Sequence, residues 1–217
     1  MGDRANDPKV QPQVNVKSSA TPSFVLRAAT DRDDRAVHEV VSTAFGRHEG
    51  VGDLWAEVVS RGHARESLVA VEGDEVVGHV GLSHGWLDAR RRLVDVWVLS
   101  PLSTRPDRQR RGIGGALVAA AIEATREAGV PALFLEGDPA FYGPRGFESA
   151  SARGFVPPSV RTPDPAFQVV TFAAHEEWMT GALVYRDVWW EHDAAGLRDP
   201  RLAEVEKVLG LDRTPVR

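Results

Sequence analysis

Cysteine is absent from this 217-residue sequence, and its absence excludes several kinds of site. Without cysteine the chain has no disulfide framework, no thiolate metal ligand and no cysteine nucleophile. His175 and His192 stand in no metal-ligand spacing such as His-Glu-x-x-His, so we expect no metal. A chain without cysteine suits a reducing compartment, and we predict a cytoplasmic protein.

Long apolar runs and an excess of positive charge are also lacking. No apolar run approaches the length of a transmembrane helix, and the N-terminus lacks the core of a signal peptide. The formal net charge is -5, which argues against general attraction to nucleic acid, although residues 105–111 are locally basic. The composition is that of a soluble globular protein, so we expect neither a membrane nor a nucleic-acid partner.

One stretch near the middle of the chain combines arginines with glycines. A β-prone run at 94–99 precedes it, and apolar residues at helical spacing follow it over 112–128. The first turn of this helix is glycine-rich and follows Arg108, Arg110 and Arg111. Free N–H groups at a helix start bind phosphate, glycine lets a ligand approach, and arginines add charge-assisted bonds. We interpret the turn as a phosphate cradle, while an ordinary helix start with a solvated basic run explains the same residues.

Two other glycine-loop classes fit this turn less well. A P-loop closes with Gly-Lys-Ser/Thr, which Gly115-Ala116 does not supply. A dinucleotide-binding turn follows its strand directly and needs a small residue where Leu117 stands. Glu136 does lie near the spacing of a ribose-binding acid, so a nucleotide-binding protein stays an alternative.

The rest of the chain alternates helical and β-prone segments around one sheet. The predicted order over 24–172 is β-α-α-β-β-β-α-β-α-β, a mixed α/β plan. Residues 1–22 are polar and contain prolines, which predicts a flexible tail. We place the main domain at 23–175 and a C-terminal extension at 176–217. Within the extension, 202–209 predicts an amphipathic helix that packs on the domain or on a second copy in a homodimer.

Two motifs, in this order, resemble the GNAT superfamily of acyl-CoA-dependent N-acyltransferases. Residues 109–114, Gln-Arg-Arg-Gly-Ile-Gly, fit that family's pyrophosphate signature Q/R-x-x-G-x-G/A, and 102–106 resemble the end of its fourth strand. Residues 142–147, Tyr-Gly-Pro-Arg-Gly-Phe, resemble its Y-x-x-x-G-F segment, preceded by a Gly-Asp-Pro turn at 137–139. The resemblance covers 24–172 and implies a mostly antiparallel sheet with splayed fourth and fifth strands and helices on both faces.

The resemblance implies acetyl-CoA as co-substrate, lying between the splayed strands. The backbone of the fourth strand would pair with the pantetheine, and the glycine turn would hold the pyrophosphate. Asp138 stands near the turn where many members carry asparagine. The residues expected to bind the cofactor are Leu102, Ser103, Thr104, Gln109, Arg110, Arg111, Gly112, Ile113, Gly114, Gly115 and Asp138.

The implied reaction is direct attack of a primary amine on the thioester, which needs a proton donor for the leaving sulfur. Tyr142 occupies the family's acid position, and a tyrosine hydroxyl is ordinarily protonated at pH 7. Packing beside Phe141 and Phe147 would explain the same residue. A non-catalytic acyl-CoA-binding or sensing module is the alternative of a different class, and it would not need Tyr142.

Several residues are candidates for the general base that takes a proton from the amine. His84 ends the third strand near the expected acceptor, and histidine titrates near neutral pH, so we predict His84 as the base. His79 lies on the opposite face by strand alternation. Glu49 lies in a loop that roofs the acceptor cleft in relatives, and Glu136 and Asp138 flank the end of the fifth strand. A chain of water molecules would also serve.

For the acceptor we predict a small cationic amine, with a protein amine as the alternative. Glu49 and Asp53 are expected at the substrate cleft, where they would supply negative charge. The clusters at 175–178 and 187–193 combine tryptophans with acids, a plausible receptor for a cation. Tryptophans that pack the extension onto the domain would explain the same clusters.

Overall fold

The computed structural model of the protein describes residues 24–46, 50–197 and 201–211. Its strands are β1 (Val25–Ala28), β2 (Ala64–Glu72), β3 (Glu75–Ala89), β4 (Leu93–Thr104), β5 (Ala132–Glu136), β6 (Glu148–Ser149), β7 (Phe155–Val156), β8 (Phe167–Thr171) and β9 (Gly181–Tyr185). Its α-helices are α1 (Asp34–Phe45), α2 (Val51–Ser60), α3 (Ile113–Glu127), α4 (Pro139–Tyr142), α5 (Asp187–Glu191) and α6 (Arg201–Val208).

Within the described ranges, the strands form one mixed sheet. The main path is β1-β2-β3-β4-β5-β8-β6, and β9 lies beside β3 and β7. The β4–β5 and β7–β9 pairs are parallel, whereas the others are antiparallel. This architecture confirms the predicted α/β class with a mostly antiparallel sheet.

Apolar side chains alternate between the two faces of the sheet and build a core on each. On one face α1 and α2 pack with Val41, Trp55 and Val58 against the strands. On the other face α3 packs with residues such as Ile113 and Leu117. We call these the α1/α2 face and the α3 face.

β4 and β5 separate soon after they meet. Trp97 and Val98 pair with β5, but β4 continues beside β3 as far as Thr104 without further register to β5. Leu82 of β3 lies opposite Leu99 of β4, and Val80 lies opposite Leu102. Between these pairs β3 advances by two residues and β4 by three, so β4 carries one extra residue at 100–101. Such a bulge bends a strand and re-aims its side chains. The open edge of β4 therefore begins where β5 departs, as the predicted splay requires.

The C-terminal extension contributes to the sheet itself. β3 is long, and its last residues, Gly85–Ala89, pair with β9. The sequence pattern did not predict this strand. The amphipathic helix predicted at 202–209 corresponds to α6. The predicted tail at 1–22 lies outside the described residues.

No helix in the described ranges is long and apolar enough to cross a membrane. Over the same ranges, no group of three His, Asp or Glu side chains is placed to hold a metal ion.

Candidate active site

The first turn of α3 presents backbone donors that the helix itself does not use. The first hydrogen bond of the helix runs from the Ala116 N–H to the Gly112 carbonyl, 3.0 Å away. The N–H groups of Ile113, Gly114 and Gly115 precede that bond. Among the described residues no side chain caps this end of the helix. These donors and the positive end of the helix dipole together suit an anion.

The glycines of this turn leave room for a ligand. Gly112 has φ of 88°, where side chains are strained, and a Cβ built on it would meet nothing within 4 Å. A Cβ on Gly114 would lie 3.5 Å from the Phe141 ring and 3.8 Å from the Thr104 hydroxyl. Arg110 also has positive φ, 60°, and strained non-glycine residues of this kind cluster at functional sites.

A cavity of about 540 Å³ lies between this turn and the open edge of β4. We call it the α3 cavity. The structure brings to its lining most of the residues predicted to bind the cofactor: Leu102, Ser103, Thr104, Gln109, Arg110, Gly112, Ile113, Gly114 and Gly115.

The arginines before α3 are not equivalent. Arg108 and Arg111 turn back to Glu72 at the end of β2, with N–O distances of 2.9 and 3.3 Å. Arg105 is held by Glu75 and Asp107, both at 3.0 Å. These ion pairs neutralise much of the basic run. Fewer arginines are therefore available to a ligand at the glycine turn than the sequence alone suggests.

Arg145 is a residue of the α3 cavity that the sequence analysis missed. Its guanidinium lies over the Phe141 ring, 3.9 Å from the centroid, and donates to the Phe141 carbonyl. A Cβ on Gly115 would approach the same guanidinium to 3.3 Å. No salt bridge of Arg145 occurs in the described part of the chain. An unpaired cation beside the positive end of a helix favours an anionic ligand between them.

Tyr142 lies on the α3 face, beside the end of β5. Its ring makes edge contacts with Phe141 and Phe147, at centroid distances of 4.9 and 5.6 Å. A Cβ on Gly137 would collide with this ring at 2.4 Å, so glycine is needed there. Burial raises the pKa of the Tyr142 hydroxyl to about 12, and therefore it is a protonated donor at neutral pH.

A second cavity, of about 480 Å³, lies at the separation of β4 and β5 on the α1/α2 face. We call it the β4–β5 cavity. Its lining includes Val98, Leu99 and Ser100 of β4 and Glu136 at the end of β5. Side chains alternate along β5, and Glu136 falls on the same face as Ala132 and Phe134 of the α1/α2 core.

Glu136 is held by a buried tyrosine of the C-terminal extension. The Tyr185 hydroxyl donates to Glu136 Oε1 at 2.7 Å. Burial raises the pKa of the Glu136 carboxyl, and the hydrogen bond from Tyr185 opposes part of that shift. The pKa of Tyr185 is raised well above its ordinary value, chiefly by burial. Tyr185 therefore stays a neutral donor while Glu136 becomes a stronger base than an exposed glutamate.

Known proteins with similar sequences identify the family of this chain. The family model described as an acetyltransferase (GNAT) domain matches residues 25–150. The chain belongs to the GNAT acetyltransferase family. An N-acetyltransferase of Escherichia coli K12 called YjhQ, itself described as uncharacterized, is 31% identical over 133 residues, which cover 59% of this chain and 73% of YjhQ.

Solved structures of GNAT proteins share the fold. The E. coli N-acetyltransferase YhbS in complex with CoA is similar with a TM-score of 0.69 and 21% identity, over 86% of this chain and 96% of YhbS. A GNAT acetyltransferase from Brucella melitensis in complex with acetyl-CoA has a TM-score of 0.63 and 24% identity, over 76% of this chain and 97% of that protein.

The two histidines of β3 in this GNAT chain point to opposite faces, as strand alternation requires. His84 lies on the α3 face beside Trp86, where its Nε2 is 2.8 Å from the Asp95 carboxylate. It is not among the lining residues of the β4–β5 cavity. His79 is fully buried against Trp55, and burial lowers its pKa to about 3. The role of His84 as general base stays a prediction.

Tyr142 and Arg111 line neither the α3 cavity nor the β4–β5 cavity, and three other predicted residues lie outside both linings or outside the described ranges. Asp53, in the first turn of α2, is largely exposed and contacts His38 Nε2 at 2.9 Å. The Asp138 carboxylate accepts from the Ala140 N–H at 2.9 Å and caps α4. Glu49 lies outside the described residues.

The tryptophans and acids of the C-terminal clusters have structural partners. Trp189 is buried beside Tyr185, and Trp178 lies under the guanidinium groups of Arg91 and Arg92. Arg61 of α2 lies 3.6 Å from Asp187 and also contacts the Glu191 carboxylate. These contacts join α2 to α5.

Proposed function

We propose that this GNAT acetyltransferase transfers the acetyl group of acetyl-CoA to a primary amine, with the two substrates on opposite faces of the sheet. The observation that carries the proposal is the open edge of β4. Residues 98–100 line the β4–β5 cavity, and 102–104 line the α3 cavity. One unpaired strand edge therefore joins an anion-binding turn to a second, carboxylate-containing cavity.

The α3 cavity suits the CoA part of acetyl-CoA. The N–H groups at Ile113, Gly114 and Gly115 and the Arg145 guanidinium would hold the pyrophosphate. Free backbone groups at 102–104 would pair with the pantetheine amides, as an added strand does. The relatives crystallised with CoA and acetyl-CoA support this choice of co-substrate.

Transfer requires one proton donor and one proton acceptor. The amine nitrogen forms a bond to the acetyl carbonyl carbon while the carbon–sulfur bond breaks, and the sulfur leaves with the bonding electrons. Tyr142 would give its hydroxyl proton to that sulfur, since it lies beside the end of β5 on the face of the α3 cavity.

For the base, the geometry favours Glu136 over His84. Glu136 lines the cavity that would hold the amine, and its raised pKa makes it a better acceptor for an ammonium proton. A small cationic amine would bind here because its ammonium group meets the Glu136 carboxylate. His84 instead faces the α3 side and is held by Asp95.

The first experiment is calorimetric titration of the protein with acetyl-CoA and, separately, with NAD. We expect acetyl-CoA binding that Gly114→Asp abolishes, because a carboxylate would stand beside the pyrophosphate. Gly114→Ala is the matched control: its Cβ makes an ordinary contact with Phe141, so it should weaken binding far less. NAD binding without acetyl-CoA binding would reject the proposal.

The second experiment measures CoA release with a panel of amines. Turnover is expected with at least one primary amine and separates an enzyme from an acyl-CoA sensor. A protein that binds acetyl-CoA tightly but releases no CoA with any amine or peptide would be a binding module.

A further inference from the structure

The β4–β5 cavity has apolar and aromatic walls on one side and a polar rim with His192, Asp193 and Arg201 on the other. The residues that form these walls are Phe45, Val51, Leu54, Val98, Tyr185 and Trp189. Leu54, Val98, Tyr185 and Trp189 are buried in the core of the α1/α2 face, so these walls are fixed by the packing of the fold. An apolar group that contacts these walls would lose water on that side.

The carboxylates near this cavity are mostly occupied. Among its described lining residues, Glu136 and Asp193 carry carboxylates, and Asp193 already has a partner in the structure. His192 at the same rim is bonded to Glu57 at 2.5 Å. Arg61 forms ion pairs with both acids of α5, Asp187 and Glu191. Glu136 accepts a hydrogen bond from the neutral Tyr185 hydroxyl and lies in the field of the Arg161 cation. No salt bridge to Glu136 occurs among the described residues, so an ammonium group can still pair with its carboxylate.

We infer that the acceptor is a primary amine with a single positive charge on an apolar or aromatic body, such as an alkyl or arylalkyl monoamine. This inference rests on the proposed transfer reaction. One ammonium group meets Glu136, and the remaining atoms fill the apolar walls. A second ammonium group would lose its water against those walls without gaining a free carboxylate, which is unfavourable. Polyamines and aminoglycosides are thereby disfavoured.

The sharpest test compares amines that differ in one charge. Pentylamine and 1,4-diaminobutane have nearly the same length and shape, and only the latter has a second ammonium group. We expect kcat/KM for CoA release to be at least tenfold higher with pentylamine. Along propylamine, butylamine and pentylamine, kcat/KM should rise about fourfold per buried methylene. Equal or better turnover of 1,4-diaminobutane would overturn the inference.

Val51→Asp tests whether these walls set the selectivity. Val51 is half-buried at the first position of α2, where an aspartate suits the helix dipole, and the urea unfolding midpoint of each variant checks that the fold is kept. The new carboxylate should raise kcat/KM for 1,4-diaminobutane relative to pentylamine by at least tenfold. Val51→Asn, which adds polarity without charge, should lower both rates and leave diamine selectivity unimproved. An unchanged ratio in Val51→Asp would contradict the assignment.

The acetyl-CoA dissociation constant, measured on the same variants, distinguishes failure of the monoamine inference from failure of the proposed acetyl transfer. It should stay at the wild-type value in both Val51 variants, because Val51 does not line the α3 cavity. Preferred turnover of diamines with normal acetyl-CoA binding rejects the monoamine inference and leaves acetyl transfer intact. Failure to bind acetyl-CoA, or no turnover with any amine, rejects both.

Discussion

Removal of the Tyr142 hydroxyl should slow acetyl transfer without loosening the fold. General acid catalysis contributes about a hundredfold to ten-thousandfold in rate. A hundredfold loss in Tyr142→Phe corresponds to about 2.7 kcal/mol of activation free energy. Phenylalanine keeps the edge contacts with Phe141 and Phe147, and the hydroxyl makes no hydrogen bond to another described residue. The free energy of unfolding should therefore change by less than about 0.5 kcal/mol.

The assay is CoA release at saturating acetyl-CoA, with the dissociation constant of acetyl-CoA measured separately. The pKa of Tyr142, about 12, leaves the hydroxyl protonated from pH 6 to 9. The ratio of wild-type to Tyr142→Phe rates should accordingly stay constant across that range. An equal kcat for the two proteins, where chemistry limits the rate, would assign Tyr142 to packing.

Tyr185→Phe is the matched comparison, because Tyr185 is the other tyrosine of the chain and serves Glu136 instead. The hydrogen bond from Tyr185 lowers the pKa of Glu136, so its loss should raise that pKa further. Glu136 accepts a proton only when ionised, and activity falls as pH drops through its pKa. The acidic limb of the kcat profile should move to higher pH in Tyr185→Phe but not in Tyr142→Phe. If the limb survives Glu136→Gln and disappears in His84→Gln, the base is His84.

The remaining predictions concern the cofactor turn and the core. Arg145→Ala should weaken acetyl-CoA binding more than Arg111→Ala, because Arg111 is already paired with Glu72. Calorimetry would contradict this if the two variants lost the same affinity. Both losses should be smaller at high salt, which screens the charges. Phe134→Ala, at a fully buried ring, should cost about 3–5 kcal/mol in urea unfolding, and a loss below 1 kcal/mol would refute the packing. Asp33→Asn should destabilise at pH 7, since hydrogen bonds from Arg27 hold the pKa of Asp33 well below its ordinary value. The stability that this depressed pKa supplies is present above about pH 4 and is lost on acidification, so the difference from wild type should shrink between pH 5 and pH 2.

Elements with a strong local pattern could be predicted well from the sequence. Helical spacing and a glycine start predicted a helix at 112–128, and α3 spans Ile113–Glu127. The β-prone run was predicted to end at Leu99, yet β4 continues to Thr104 because its bulge keeps it in register with β3. The resemblance to GNAT proteins, not propensity, pointed to a strand end at 102–106. β9 is a run of only five residues, and its pairing partner on β3 lies about a hundred residues away, so the sequence did not indicate that this run joins the sheet.

The same limit applies to the candidate site. Sequence alone placed Arg108, Arg110 and Arg111 beside the glycines, but which arginine faces a ligand depends on Glu72, which lies 36 to 39 residues earlier. Arg145 was visible within the Tyr-x-x-x-Gly-Phe segment, although nothing local distinguishes it from a surface arginine. The environment of Glu136 likewise depends on Tyr185, 49 residues later, whose own strand was not predicted.

The most direct test of acetyl transfer across the split sheet is an initial-rate matrix that varies acetyl-CoA and pentylamine together. If both substrates bind at once, one in each cavity, the double-reciprocal lines intersect, and radiolabelled acetyl-CoA without amine leaves no acetyl group on the protein. Parallel lines together with an acetylated protein would show a covalent intermediate and contradict the account.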